Sequence, residues 1–309
     1  MVNTNDIKSK LVIWVIAIRT KFLISSIVAV ANGVMIALWK EGVFDPFYTI
    51  MTLLGVISLH MSVDLLNDYW DSKKGIDNYT TRTKFSGGSG VIPNKLLDSR
   101  SVFLAGIIFL ILGFMIGVYF VTVRGITILF ILLFATTSVY FYSTRLVGFG
   151  LGELFVGIKG VMIVLGSFFV QTGYIDSSAI FLGIIIGMLS STVLIITSFP
   201  DFEADKKSGR RTIVIILGKR KTSQIFPILV GLTYFMIIIA VIFSLLPPAV
   251  LFSLFSLPIA LRGMTPLLEN QNDLAKLVPI MYNIILYSRI TGSLLFVGIF
   301  FDYVTKYFL

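Results

Sequence analysis

Three aspartates close one apolar stretch of the chain. In HMSVDLLNDYWDSKKGID, Asp64, Asp68 and Asp71 fall at i, i+4 and i+7 and so share one helical face, with Asn67 and His60 close to it. Carboxylates this close repel one another, and at a membrane-embedded helix end they must take up protons or hold a cation. An all-oxygen set suits Mg²⁺, which binds through one or two carboxylates, keeps several waters and draws its other ligands from substrate phosphates. A solvated acidic helix end is the plain alternative, and Asp64, one turn deeper than such an end requires, speaks against it. A second cluster, SFPDFEADKKSGRRT, sets Asp201 and Asp205 four residues apart with Glu203 between them, followed by Lys206, Lys207, Arg210 and Arg211. Carboxylates holding a metal, with cations on the non-bridging oxygens, would neutralise a diphosphate and improve it as a leaving group. Each of the four cations could instead be a topological anchor beside the membrane.

Further candidates stand near these clusters. The loop residues Arg82, Thr83, Lys84, Phe85, Ser86, Gly87, Gly88, Ser89 and Gly90 place charge beside consecutive glycines, whose backbone N–H groups can form an anion-binding nest; the same stretch could also be a flexible loop or a lid. Lys159 and Arg289 lie inside apolar spans, where a cation is costly and faces the protein interior or a cavity. They could serve a substrate diphosphate or an acceptor, or could snorkel or pair with a carboxylate such as Glu153. His60, a lone histidine, reads as a packing or hydrogen-bonding residue rather than a base. The 27 Phe and 12 Tyr would suit a cavity that shields a carbocation with π faces, and Tyr69, Tyr140 and Tyr142 lie at the motif ends of their spans.

A bundle in the bilayer must position these groups. The chain has 309 residues, 56% hydrophobic and 13% charged, with a mean hydropathy of +0.95. Its long apolar blocks match the roughly 20 residues of a spanning helix, not the amphipathic periods of a soluble fold. Nine spans are expected, at 22–39, 47–70, 101–121, 125–143, 151–172, 178–199, 224–245, 248–266 and 279–301. They make an all-α transmembrane bundle around a central cavity, one domain over 1–309, with residues 1–21 as an interfacial segment and loops 71–100 and 201–223 capping one end. Of the 25 Lys and Arg, 20 fall on that end, so the positive-inside rule puts the loops and the N-terminus in the cytoplasm and the C-terminus outside. The formal charge of +9 therefore reports topology and not nucleic-acid binding. With no cysteine, disulfides, thiolate nucleophiles and Cys-ligated metals are excluded. The amphipathic start carries no small-residue cleavage site, so no removable signal peptide is expected. The two loops resemble each other (DSKKGIDNYTTRT and DFEADKKSGRRT), hinting at an internal repeat of about 130 residues whose copies face one cavity.

Taken together, the two clusters resemble those of the UbiA superfamily of intramembrane aromatic prenyltransferases, and the resemblance covers most of the chain. Asn67, Asp68 and Asp71, with Asp77 as the third aspartate, match the family's first signature, N-D-x-x-D, with a KKGID form like that of its menaquinone-type branch. Asp201 and Asp205 match the second, D-x-x-x-D, and Gly209, Arg210, Arg211, Thr212, Leu217 and Gly218 match its tail. Tyr142, Ser143, Arg145, Leu146 and the run Gly150, Leu151, Gly152, Glu153 look like the segment joining spans 4 and 5, without the prolines often found there. Thr197 stands where many members have Asn or Lys, and Pro200 directly precedes Asp201. The loop Arg82–Gly90 resembles a stretch in prokaryotic relatives that act on dihydroxynaphthoate.

The resemblance implies a Mg²⁺-dependent enzyme in a membrane, of a prokaryotic plasma membrane, transferring a polyprenyl group of geranylgeranyl length or longer from its diphosphate to an aromatic acceptor. It implies catalytic Asp68, Asp71, Asp201 and Asp205, metal binding by these four and Asp64, and diphosphate binding by Asn67, Arg82, Lys84, Lys159, Lys206, Lys207, Arg210 and Arg211. Tyr140, Tyr142 and Ser143 would line the acceptor or cation pocket. The expected acceptor is 1,4-dihydroxy-2-naphthoate; others are 4-hydroxybenzoate, homogentisate, a chlorin or haem, and geranylgeranylglyceryl phosphate. A transporter would place its binding residues near the bilayer midplane on broken helices, not beside long loops. A non-catalytic diphosphate binder would need the same metal site and would differ only in lacking turnover.

Overall fold

In the computed structural model residues 4–141 and 147–308 are described, and among them the regular structure is helical. Eight stretches are long and apolar enough to cross a membrane: α2 (Thr20–Glu41), α3 (Pro46–Lys73), α4 (Ser99–Arg124), α6 (Gly152–Thr172), α7 (Ser177–Thr197), α10 (Lys219–Ile242), the composite Pro248–Asn270, and α13 (Leu274–Phe308). The span expected at 125–143 is α5 (Ile126–Phe141), whose 16 described residues make it the shortest of the set. At 1.5 Å per residue that is about 24 Å, less than the hydrocarbon thickness. The span expected at 248–266 is not one continuous α-helix. Pro248–Ser256 is a 3-10 stretch that passes into α11 (Leu257–Met264) and α12 (Leu267–Asn270). Pro247 and Pro248 supply no N–H to an α ladder, and Pro258 sits in the first turn of α11, where a missing N–H is tolerated, so regular α geometry begins only at Leu257. The polar start of the chain forms α1 (Thr4–Ala17), joined to α2 through two residues.

At the end opposite the aspartates the connections are short and capped. Asp45 accepts from the Tyr48 N–H at 3.0 Å to start α3, and Asp176 accepts from that of Ser178 at 2.7 Å to start α7. Asp176 also takes Lys40 at 2.5 Å, tying the end of α2 to the start of α7. At the aspartate end the connections are long and carry α8 (Phe202–Lys207) and α9 (Ile213–Leu217).

Lipid tails are as apolar as the side chains, so close backbone packing holds such helices together. The α6–α7 pair shows it. A Cβ on Gly187 would lie 2.4 Å from the Gly157 carbonyl oxygen, so glycine at 187 is what lets the two backbones touch. The main core joins α2, α6, α7, α10 and α13 around Phe168, Ile196, Phe226, Ile237 and Tyr287. Large apolar residues such as Phe130, Ile228 and Phe255 remain on the outside, where a lipid-facing surface wants them. Between α2 to α7 lies a cavity of about 420 Å³. It runs from Asp201 at the loop end to Phe120 and Val170, which sit near the other ends of α4 and α6.

Candidate active site

The last two turns of α3 carry Asn67, Asp68 and Asp71 to the mouth of this cavity, and Asp64 lies one turn deeper. Across it, α7 ends at Thr197, and the chain turns through Pro200 into the short helix α8. The Asp205 N–H bonds the Asp201 carbonyl at 2.8 Å, which fixes the two carboxylates of the second cluster one turn apart. Arg210 joins the clusters: its guanidinium bonds Asp71 of the first and lies 3.4 Å from Asp205 of the second. Asn67 donates to Asp71 at 3.1 Å. The two motifs, some 130 residues apart in the chain, therefore meet in one charged cluster.

The glycine loop closes over this cluster. Asp68 receives Arg19, the Ser89 hydroxyl and, at 3.2 Å, the Ser89 N–H. Gly88, at φ +76°, passes so near that a Cβ there would meet the Asp68 carboxylate at 3.3 Å and Arg19 at 3.4 Å. The left-handed backbone strains any side chain at 88, and a Cβ there would press on the Asp68–Arg19 pair. The helix α1 supports the loop from outside, with Trp14 and Ala17 packed on Val91, Leu97 and Val102. Arg19 itself holds a positive φ of 46°, a strained conformation for a non-glycine residue, at the junction from which its side chain reaches Asp68.

Charge in this region is perturbed as burial and neighbours require. Burial, reinforced by Asp205, pushes the Asp201 carboxyl up to about 7. Burial also raises Asp205, against the opposing pull of Arg210. Burial works against the Arg19 charge, but Asp68 and Asp64 more than offset it and raise Arg19 above the ordinary guanidinium value. The Asp77 carboxyl is raised by burial although Arg82 pairs with it at 2.8 Å.

Among the described residues no three acidic or imidazole groups already converge on one point as a metal site. Arg19 and Arg210 occupy the space between the carboxylates and supply the countercharge. The donor set nonetheless fits Mg²⁺. It is carboxylate oxygen only, and one oxygen of Asp201 is buried without a hydrogen-bond partner. Asp64, grouped with the others by spacing, has its Oδ2 3.8 Å from His60 Nε2, and that buried oxygen accepts no hydrogen bond.

The remaining expected residues divide. Asn67, Lys159 and Arg210 line the cavity, as do Asp64, Asp71, Asp201 and Asp205, while Asp68 sits behind Arg19 and Ser89. Arg82 turns to Asp77. Lys84 is exposed, with its ammonium 5.8 Å from the Phe85 ring centre and its carbonyl accepting from Lys21. Lys206 and Lys207 are exposed over Phe202 and Tyr79, and Arg211 is exposed beside Gly150. Tyr140 is 40% exposed and does not line the cavity, and Tyr69 packs on Trp70 and Phe103. Tyr142, Ser143 and Arg145 lie outside the described residues. Among the described residues the cavity's aromatic walls are Phe, including Phe134 and Phe155, whose rings stack at 5.9 Å.

Three groups at the site were not singled out for it by sequence reasoning. Arg19 reads as one more orienting base, and only the α1–α2 junction aims it at Asp68. Glu153 accepts from the Ile213 N–H at 2.8 Å and fastens the loop after the second motif to the start of α6. Ser89 follows the double glycine, which was itself the available signal.

The profile described as the UbiA prenyltransferase family matches residues 25–288. A UbiA prenyltransferase domain-containing protein 1 of Gallus gallus is 25% identical over 233 residues, covering 74% of this chain and 68% of its own length. A 1,4-dihydroxy-2-naphthoate octaprenyltransferase of Bacillus subtilis is 24% identical over 296 residues, covering 94% of this chain and 93% of its own. Among solved structures, a UbiA homolog from Archaeoglobus fulgidus bound to GPP and Mg²⁺ superposes with a TM-score of 0.60 at 12% identity, over 94% of this chain and 99% of that one. At that identity the likeness is one of fold.

Proposed function

This chain is a membrane-embedded member of the UbiA prenyltransferase family, and from that premise we propose that it transfers a polyprenyl group from an isoprenyl diphosphate to 1,4-dihydroxy-2-naphthoate. The observation that carries the reading is the joining of two carboxylate clusters by Arg210 at the mouth of a deep apolar cavity. A diphosphate wants the charged mouth, and an isoprenoid chain wants the apolar depth. Support for the acceptor comes from the Bacillus subtilis relative, which matches nearly end to end.

Asp68, Asp71, Asp201 and Asp205 would hold Mg²⁺, as the Archaeoglobus fulgidus homolog's bound Mg²⁺ supports. When bound, the metal supplies charge that stabilises departing pyrophosphate. Arg210 and Asn67 sit where they can follow the diphosphate oxygens, and the amides of the glycine loop add donors without adding bulk. The cavity walls exclude water, which an allylic cation would otherwise capture, and the faces of Phe134 and Phe155 offer that cation π density. Attack on the allylic cation by the carboxylate-bearing ring carbon of the naphthoate, followed by loss of that carboxylate as CO₂, then restores aromaticity. Since 20 of the 25 Lys and Arg lie at the loop end, we place that end in the cytoplasm, in a prokaryotic plasma membrane like that of the bacterial relative.

The test is pyrophosphate release by purified protein given geranylgeranyl diphosphate and dihydroxynaphthoate, with Mg²⁺ or with EDTA, and mass spectrometry of the lipid product. Mg²⁺-dependent prenylated naphthoquinol is expected. Pyrophosphate without that product would sink the acceptor, and no pyrophosphate with any acceptor would sink prenyl transfer.

A further inference from the structure

Below the charged mouth, the cavity holds a second polar group that binding a diphosphate does not use. Lys159 is on α6, six residues past Glu153, and Asp64 is one turn deeper on α3 than Asp68; both line the cavity. At 1.5 Å per residue these positions lie about 9 Å and 6 Å below their motif-end neighbours, at comparable depth. Among the described residues Lys159 makes no ion pair or hydrogen bond. Asp64 Oδ2 is buried without a hydrogen-bond partner. His60 completes the group. Its Nε2 is 3.8 Å from Asp64, and its Nδ1 is held by Ser26 at 2.7 Å. One turn before Lys159 on the same face of α6, Phe155 stacks with Phe134 and supplies an aromatic wall.

A cation without an ion pair and a carboxylate oxygen that accepts no hydrogen bond, beside stacked rings within a membrane span, make a costly arrangement. The isoprenoid chain cannot relieve it, because below its diphosphate the chain is hydrocarbon. An aromatic acid with a neighbouring phenolic hydroxyl can do so: its carboxylate faces the Lys159 ammonium, its hydroxyl donates to Asp64 Oδ2, and its ring lies against Phe155. We infer that Lys159, with Asp64 and His60, forms the acceptor subsite and makes the protein select carboxylate-bearing hydroxyaromatics over neutral phenols. Lys159 is then a specificity-determining residue and not a diphosphate ligand. A neutral acceptor leaves the buried cation uncompensated, which is the kind of penalty that yields strong discrimination. The inference rests on the prenyl-transfer reading for its substrate class.

The test separates the two. Binding of 1-hydroxy-2-naphthoate and of 1-naphthol to the purified full-length protein is titrated by ligand fluorescence, without diphosphate. The wild type should prefer the acid by about tenfold or more, the value of one hydrogen bond to a charged group. Lys159→Met should abolish the preference while keeping naphthol binding, and Lys159→Arg should retain it. In turnover, Lys159→Met should raise the KM for the acid and leave that for geranylgeranyl diphosphate unchanged. Equal wild-type binding of acid and naphthol, a preference surviving in Lys159→Met, or a raised diphosphate KM would each overturn the subsite. If Lys159→Met does not fold, the wild-type preference and its persistence in Lys159→Arg decide the matter. Prenylation of neutral phenols with no preference for the acid overturns the subsite alone. An intact preference with no pyrophosphate release on any acceptor overturns prenyl transfer alone and supports the subsite.

Discussion

Replacing Arg210 by methionine removes the one side chain that, among the described residues, bonds carboxylates of both motifs. The Arg210, Asp71 and Asp205 side chains are 17%, 12% and 6% exposed, so the group is largely out of water. Truncating one partner of a buried ion pair costs about 3–5 kcal/mol, because a buried charge is left uncompensated. The Asp205 contact, at 3.4 Å, is the weaker of the two, which puts the expected loss near the lower end, about 3 kcal/mol. Arg210→Met should therefore lower the denaturation midpoint of the detergent-solubilised protein in EDTA. Mg²⁺ should then restore stability more in the variant than in the wild type, since a metal cation replaces the missing charge. Loss of a donor to the diphosphate should also cut kcat/KM for pyrophosphate release by about 100-fold. Arg210→Lys should recover part of the stability and less of the activity, because a point charge cannot span two carboxylates as a guanidinium fork does. An EDTA midpoint and a kcat/KM both equal to wild type in Arg210→Met would refute the bridging role.

Asp201 gives a pH prediction. With its carboxyl at about 7, the metal-free site is protonated below that pH, and the proton must leave when metal binds. Apparent Mg²⁺ affinity should fall by about tenfold per pH unit below 7, read by Mn²⁺ or Mg²⁺ titration, and Asp201→Asn should flatten the profile. A raised carboxyl also means that the stability Asp201 contributes is present at low pH and lost as pH rises through about 7. In the fold, Gly187→Leu should force α6 and α7 apart, since even its Cβ would sit 2.4 Å from the Gly157 carbonyl oxygen. The expected result is a large loss of folded protein in size-exclusion chromatography, and a normal yield would show that the helix contact is more yielding than its geometry implies.

Much of this protein was decided locally and is therefore legible in its sequence. Apolar blocks long enough for a bilayer specify helices, because lipid offers the backbone no other partner. Helical periodicity puts Asp64, Asp68 and Asp71 on one face whatever surrounds them. The double glycine at 87 and 88 announces a backbone that must come close to something. What the sequence could not say is which of those groups meet. Three-dimensional packing brings Arg210 to Asp71 and Arg19 to Asp68, leaves Lys206, Lys207 and Arg211 outside, and sets Lys159 opposite Asp64. It also breaks the span after Pro247 into 3-10 and α pieces and makes α1 a prop for the glycine loop. The physical reason is range. Periodicity and hydropathy act over a turn or a span, whereas contact between residues over a hundred positions apart depends on how helix faces fit. Charge counted along a chain carries no record of direction.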